Sequence, residues 1–284
     1  MVFATLLAAW SAVLACAEPR VEFYSRASAQ GEALLIVVRG LPRAPRGRFL
    51  GQPLSFVPGR NGDHLAIAGI DLEAAAGSTH LELDMLDETD TPHLWSSEVR
   101  VERKKFPTQK LQVDDRYVQL APADERRSEQ EALRLKRLFA QVSEPLLAKS
   151  RFSAPIPGAL SGGRFGERRI FNDVPKSPHA GADLSAKAGT PVQAPAAGRV
   201  ALAEDLFYSG LTVIVDHGLG LYTFYGHLSR IDVRAGQSLA PGETLGLVGA
   251  TGRTTGPHLH WAARLQGARV DPFSLTALPL NDYL

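Results

Sequence analysis

The sequence predicts a mainly β protein in three parts: a sandwich-like N-terminal domain, a helical connector and an antiparallel C-terminal β-domain. Three observations carry this. Residues 20 to 106 contain short runs of alternating hydrophobicity separated by turn material. Between 123 and 148 the apolar period changes to three and four residues. From 151 onward glycine and proline become frequent, β-type runs return and no periodic helix is evident. At 284 residues the chain fits one large domain or two moderate ones, and 44% hydrophobic with 21% charged residues is ordinary for a globular protein. The net charge of +1 provides no global field for nucleic acid, so none is expected as a partner.

The chain starts with an apolar, uncharged run, VFATLLAAWSAVLAC, over residues 2 to 16. It is short for a membrane span, which needs roughly 20 residues. It fits the core of a secretory signal ending in the small-residue pattern Ala15-Cys16-Ala17, although no Lys or Arg precedes it. Residues 1–17 are therefore expected to be a signal peptide, and no transmembrane span is expected in the mature chain. Val13-Leu14-Ala15-Cys16 also resembles a bacterial lipobox, which would make Cys16 a lipid anchor. Both readings place the protein outside the cytoplasm, in the periplasm or cell envelope. Cys16 is the single cysteine, so the mature chain has no disulfide and no cysteine nucleophile.

Residues 18–106 form the predicted sandwich-like domain. Leu81, Leu83 and Met85 alternate with Glu82 and Asp84, and Val99 and Val101 with Arg100 and Glu102. Leu34 to Val38 is an apolar run of buried-strand type, and Pro58 to Asp63 is turn material. His64, His80 and His93 share no local pattern and are expected at the surface. The basic run Arg103, Lys104 and Lys105 reads as a solvated edge. Residues 107–150 form the connector, where Leu135, Leu138, Phe139, Val142 and Leu146 line one helical face. Ser128 and Glu131 have capping-box spacing, with Asp124 as another start.

Residues 151–284 form the last domain, with strands predicted at Gly198 to Ala203, Leu211 to Asp216, Leu221 to His227, Thr244 to Val248 and His258 to Leu265. Five of the eight histidines fall between 179 and 260. His258 and His260 would share one strand face. His179 and Asp183 flank Gly181, which would permit a bend bringing both side chains to one point. Zinc takes imidazole nitrogen and carboxylate oxygen, and a catalytic site uses three protein ligands. His179, Asp183 and one histidine of His258-Leu-His260 would supply them. The other histidine and His227 are left for proton transfer or oxyanion stabilisation. His217 reads as structural. Singly, each short motif is weak; together they make a complete ligand set with acid–base groups. Neither a Gly-x-Ser-x-Gly elbow nor a His-Glu-x-x-His helix occurs.

Residues 151 to about 274 resemble the lysostaphin/LytM-type zinc metallopeptidases of peptidoglycan. The resemblance rests on Gly163-Arg-Phe-Gly166, His179-Ala-Gly-Ala-Asp183-Leu184, Val213-Ile-Val-Asp-His-Gly218, Leu221-Tyr-Thr-Phe-Tyr-Gly-His-Leu228 and, most specifically, Gly249-Ala-Thr-Gly-Arg-Thr-Thr-Gly-Pro-His-Leu-His260. It implies a β metallopeptidase domain with a narrow groove over its central sheet, zinc held by His179, Asp183 and His260, and catalysis served by His258 and His227. The expected activity is zinc-dependent endopeptidase cleavage of peptidoglycan stem-peptide cross-links by an exported enzyme. The alternative is a non-catalytic LytM-type regulator of wall amidases or a wall-binding protein, against which the intact set of five residues argues. The large segment between leader and enzyme also raises the expectation that the N-terminal region restricts access to the groove.

Overall fold

A computed structural model describes residues 20–86, 90–111, 120–159, 163, 165–175 and 177–284. The expected signal peptide and Cys16 lie outside the described residues, and so does part of the Gly163–Gly166 stretch.

The N-terminal strands are β1 (Arg20–Tyr24), β2 (Ala33–Arg39), β3 (Arg46–Phe49), β4 (Gln52–Leu54), β5 (Val57–Pro58), β6 (His64–Gly69), β7 (Gly77–Leu86) and β8 (Pro92–Val101). They make two antiparallel sheets in the orders β1-β2-β6-β5 and β4-β3-β7-β8. Leu34, Ile36, Val38, Ala66 and Ala68 of the first face Leu81, Leu83, Val99 and Val101 of the second, which is the expected sandwich. The alternate residues of the first sheet, Leu35, Val37, Leu65 and Ile67, are equally buried. They pack on Leu221, Ala263, Leu265 and Val270 of the C-terminal half. That double burial explains the unbroken apolar run at 34–38.

Of the scattered histidines, His80 and His93 are exposed, while His64 is half-buried with Nε2 3.2 Å from the Leu41 carbonyl. The basic run is not wholly solvated: Lys104 Nζ lies 3.2 Å from Glu32 Oε1.

Strand β9 (Thr108–Leu111) pairs in parallel with β10 (Arg168–Phe171), which pairs with β11 (Val174–Pro175). Between them in sequence runs helix α1, Pro122–Phe139. Pro122 opens it, where a missing N–H costs nothing. Ser128 is inside the helix and donates to Glu125 O, so no capping box forms with Glu131. The helix is also shorter than its apolar spacing predicts. Pro145 lacks an N–H and disfavours helical backbone at Glu144. Val142 is exposed, and Leu146 enters the core shared with the N-terminal sheet from an extended segment.

The C-terminal half is a nine-stranded antiparallel assembly of β12 (Gly181–Ser185), β13 (Pro191–Gln193), β14 (Gly198–Leu206), β15 (Gly210–Asp216), β16 (Leu221–Ile231), β17 (Ser238–Leu239), β18 (Thr244–Val248), β19 (His258–Leu265) and β20 (Ala268–Val270). The main order is β12-β19-β16-β15-β14-β17. Two short helices missing from the periodicity reading follow, α2 (Pro272–Leu275) and α3 (Leu280–Tyr283); four residues are too few to show a period. Asp271 caps α2, accepting from the Phe273 N–H. No helix of the described residues is long and apolar enough to cross a membrane.

Candidate metal centre

The site is assembled by strand register. In the β12–β19 pair Asp183 stands opposite His260 and Ser185 opposite His258. On the other side of β19, Gly226 stands opposite His260 and His227 follows it. The two-residue period puts His258 and His260 on one face. His179 lies just before β12, fixed by its own backbone: its N–H donates to Glu167 O and its carbonyl accepts from the Gly166 N–H. Gly166 is itself seated against the Phe106 ring, where an added Cβ would lie 2.1 Å from a ring carbon. Phe106, at the end of the sandwich-like segment, thereby supports the segment that positions His179.

His179 Nε2, His260 Nδ1 and Asp183 Oδ1 converge. The two nitrogens are 2.9 Å apart, and they lie 3.2 Å and 3.1 Å from the carboxylate oxygen. Ligand atoms about 2.0–2.1 Å from a tetrahedral ion are about 3.3 Å from one another. The near-equilateral triangle of two imidazoles and a carboxylate therefore fits a divalent ion, with a fourth position left open. Gly181 is needed for a reason other than the expected bend. It lies in β12 without a left-handed φ, and a Cβ there would sit 2.6 Å from His260 Cε1. Close approach of the ring, not a turn, selects glycine.

His258 and His227 stand beside the triangle. His258 Nε2 is 3.7 Å from Asp183 Oδ1, and the His227 and His258 ring centroids are 4.8 Å apart. In each ring Nδ1 faces a carbonyl: Thr251 O at 2.8 Å for His227 and Gly256 O at 2.9 Å for His258. A carbonyl only accepts, so Nδ1 carries the proton and Nε2 keeps its lone pair. Thr254 Oγ1 is a further contact of His258 Nδ1, at 3.2 Å. His227 itself has φ 63°, a left-handed conformation uncommon for a side-chain-bearing residue. Its N–H donates to Ser209 O, which holds the distortion in place.

Burial and hydrogen bonding set the charge states at the site. Burial pushes His227 and His260 down to about 4, so both are neutral near pH 7. Burial would raise the Asp183 carboxyl, but hydrogen bonds from His179 and His260 outweigh it and hold the group well below the usual carboxylate range. His217 stands apart and fully buried, donating from Nδ1 to Ala197 O at 2.7 Å and accepting at Nε2 from the Thr223 hydroxyl. All five predicted residues thus meet at one place. The sequence reading missed the clamps, Thr251, Thr254 and the Gly256 carbonyl; they lie inside the Gly249–His260 string but carry no recognisable ligand chemistry.

Comparisons with known proteins bear on the family. Residues 177–272 match the model of Peptidase family M23. The chain is 44% identical over 101 residues to the DD-carboxypeptidase/endopeptidase Mpg of Neisseria meningitidis, covering 36% of this chain and 23% of that protein. It is 41% identical over 95 residues to the peptidoglycan DD-endopeptidase ShyA of Vibrio cholerae, covering 34% and 22%. The chain thus spans less than a quarter of the length of these curated relatives. A crystal structure described as a peptidase M23 from Pseudomonas aeruginosa superposes with a TM-score of 0.69 at 33% identity, over 88% of this chain and 96% of that one. With that structure matched along nearly its whole length and residues 177–272 matching the family model, the chain belongs to peptidase family M23.

Proposed function

We propose that this protein is a zinc metalloendopeptidase that hydrolyses peptide cross-links of peptidoglycan, with His179, Asp183 and His260 holding the metal. The observation that carries the reading is the convergence of these three donors within 4.8 Å of one another, with two lone-pair-bearing imidazoles alongside. The relatives described as peptidoglycan DD-endopeptidases support the substrate class. Zinc bound there supplies Lewis-acid polarisation of the scissile carbonyl and a more acidic water. The chain's own residues do the rest. His258 and His227, anchored through Nδ1, present Nε2 to take a proton from the attacking water and return it to the leaving nitrogen. Asp183 stays ionised and balances charge among the histidines.

The test is mass analysis of purified cross-linked muropeptides after incubation with the zinc-loaded protein. Cleavage at one peptide bond of the cross-link is expected; intact muropeptides would refute the proposal. His258→Ala is expected to keep the metal and lose about 10²–10⁴-fold in rate.

Two further parts of the reading are proposals of the same kind. Export to the periplasm or cell envelope rests on the leader; mass measurement of the mature N-terminus distinguishes cleavage after Ala17 from lipidation at Cys16. Restraint by the N-terminal region is supported by helix α1, whose Leu135, Leu138 and Phe139 pack against Tyr222 and Phe224. The Phe224 ring in turn meets His260 at a centroid distance of 5.8 Å.

A further inference from the structure

A cleft lies beside the far end of the strand that carries the histidines. His258, His260, Ala262 and Arg264 share one face of β19. Four residues at about 3.4 Å each put Arg264 about 13–14 Å along the strand from His260. There the cleft, of about 810 Å³, opens between α1, the β4 turn and the β19–β20 turn. That volume is typical of small-molecule pockets.

Arg264 lacks the partner that such a cation ordinarily has. No carboxylate among the described residues lies within ion-pair distance of it. Asp71, the acid whose field reaches it, is already taken by Arg269, whose Nη2 and Nε lie 2.6 and 2.9 Å from the two carboxylate oxygens. The hydrogen bonds Arg264 makes are both from Nη1, to Ala180 O at 3.4 Å and Ala263 O at 3.3 Å, at the long limit for such bonds. Nε and Nη2 make no hydrogen bond among the described residues, and Arg264 lines the cleft. Burial pushes the guanidinium down to about 10, the mark of a cation without adequate compensation. A second cation, Lys136, lines the same cleft, and no Asp or Glu does. Leu135, Phe139 and Val142 supply an apolar wall, and the Phe139 ring lies 5.5 Å from the Arg264 guanidinium carbon. Gln52, Ser55 and Gln266 add amide and hydroxyl groups at other points of the lining.

We propose that this cleft binds the C-terminal carboxylate of a short peptide with an apolar terminal side chain, Arg264 gripping the carboxylate and Lys136 adding a second positive charge. A guanidinium whose Nε/Nη2 edge is unengaged matches a carboxylate in a fork. The apolar wall takes the side chain, and the glutamine and serine groups suit peptide amides better than an alkyl chain. The site stands independently of the peptidase reading, because none of its groups is a candidate metal ligand.

The experiment is calorimetric titration of the metal-free full chain with acetyl-alanyl-leucine, its C-terminal amide, and octanoate. Metal-free protein prevents a carboxylate from being counted on a metal. The acid is expected to bind at least about tenfold more tightly than the amide, the discrimination of a charge-assisted pair. Arg264→Gln should abolish that difference, Arg264→Lys should retain part of it, and His260→Ala should leave it unchanged. Equal binding of acid and amide to the unaltered chain would overturn the proposal even if Arg264→Gln fails to fold. Loss of binding in His260→Ala would overturn it by moving the ligand to the histidines. Octanoate binding as tightly as the dipeptide would overturn the peptide assignment in favour of a fatty carboxylate.

Discussion

A methyl group at position 181 would lie 2.6 Å from Cε1 and 2.8 Å from Nε2 of His260, closer than any Cβ can settle. The Trp261 carbonyl is as close, at 2.8 Å, so ring and strand would both shift, carrying Nδ1 away from His179 and Asp183. Gly181→Ala should therefore weaken metal affinity by about 10–100-fold, as the loss of ligand-orienting partners does, while the fold survives. Competition with a chelating dye measures this; unchanged affinity would show that the strand yields instead of the ring. His217 predicts a pH effect. Burial holds it at about 4 in the folded chain, below its ordinary 6.5. The unfolded chain then binds the proton more readily, so this stability is fully present above about 6.5 and is lost as pH falls toward 4. The loss attributable to this residue is about 3 kcal/mol. Urea midpoints at pH 7 and pH 5 test it, and His217→Gln should flatten part of the slope. Much of the site was legible at this scale, because a strand's two-residue period alone places His258 beside His260. The left-handed backbone of His227 and the carbonyls that fix its tautomer were not. They depend on Ser209 in the β14–β15 turn and Thr251 in the loop after β18, which only the tertiary fold brings to it.

Helix α1 shows where periodicity misleads. Its apolar stripe runs through Leu135, Leu138 and Phe139 and continues in sequence to Val142 and Leu146, yet the helix stops at Phe139. Proline chemistry at 145 bars the helix from reaching Leu146, which finds burial in another core. What docks the helix is mixed. Phe139 meets Tyr222 edge-on at 5.6 Å, and Arg134 pairs with Glu204. Arg127 reaches Asp205, and Glu131 accepts from the Phe207 N–H. The exposed ion pairs contribute little, so the apolar contacts dominate. Truncating Leu138 and Phe139 to Ala should cost about 1–2 kcal/mol each, since both are only partly buried. If the helix restrains access to the histidines, the double variant cleaves muropeptides faster than the unaltered chain. A helix made protease-sensitive with no gain in rate would contradict the restraint.

Across the whole molecule, one sheet joins the halves. The β1-β2-β6-β5 sheet is buried on both faces, by its sandwich partner on one side and by Leu221, Leu265 and Val270 on the other. The division at 106 and 150 is thus a proposal about sequence units that share a core, since Leu146, Ala148 and Phe152 straddle residue 150 within one cluster. Leu35→Ala, at a side chain with no exposure, should cost about 2–5 kcal/mol and lower the stability of both halves together. Separate probes of each half during denaturation check this; two distinct midpoints would show the halves to be independent. The β-rich class and four of the five C-terminal strand starts were legible in sequence, because alternation and turn residues are local. The shared core was not, because a doubly buried strand reads the same whichever elements cover it.

The central claim is that His179, Asp183 and His260 form one metal site while His258 acts beside it. The most direct measurement is zinc content per chain, by mass spectrometry of the purified protein, in the unaltered form and in the His260→Ala and His258→Ala variants. The account predicts one zinc in the unaltered chain and in His258→Ala, and close to none in His260→Ala. An unaltered chain that takes up no stoichiometric zinc, or a His260→Ala variant that holds it as tightly, would contradict the account.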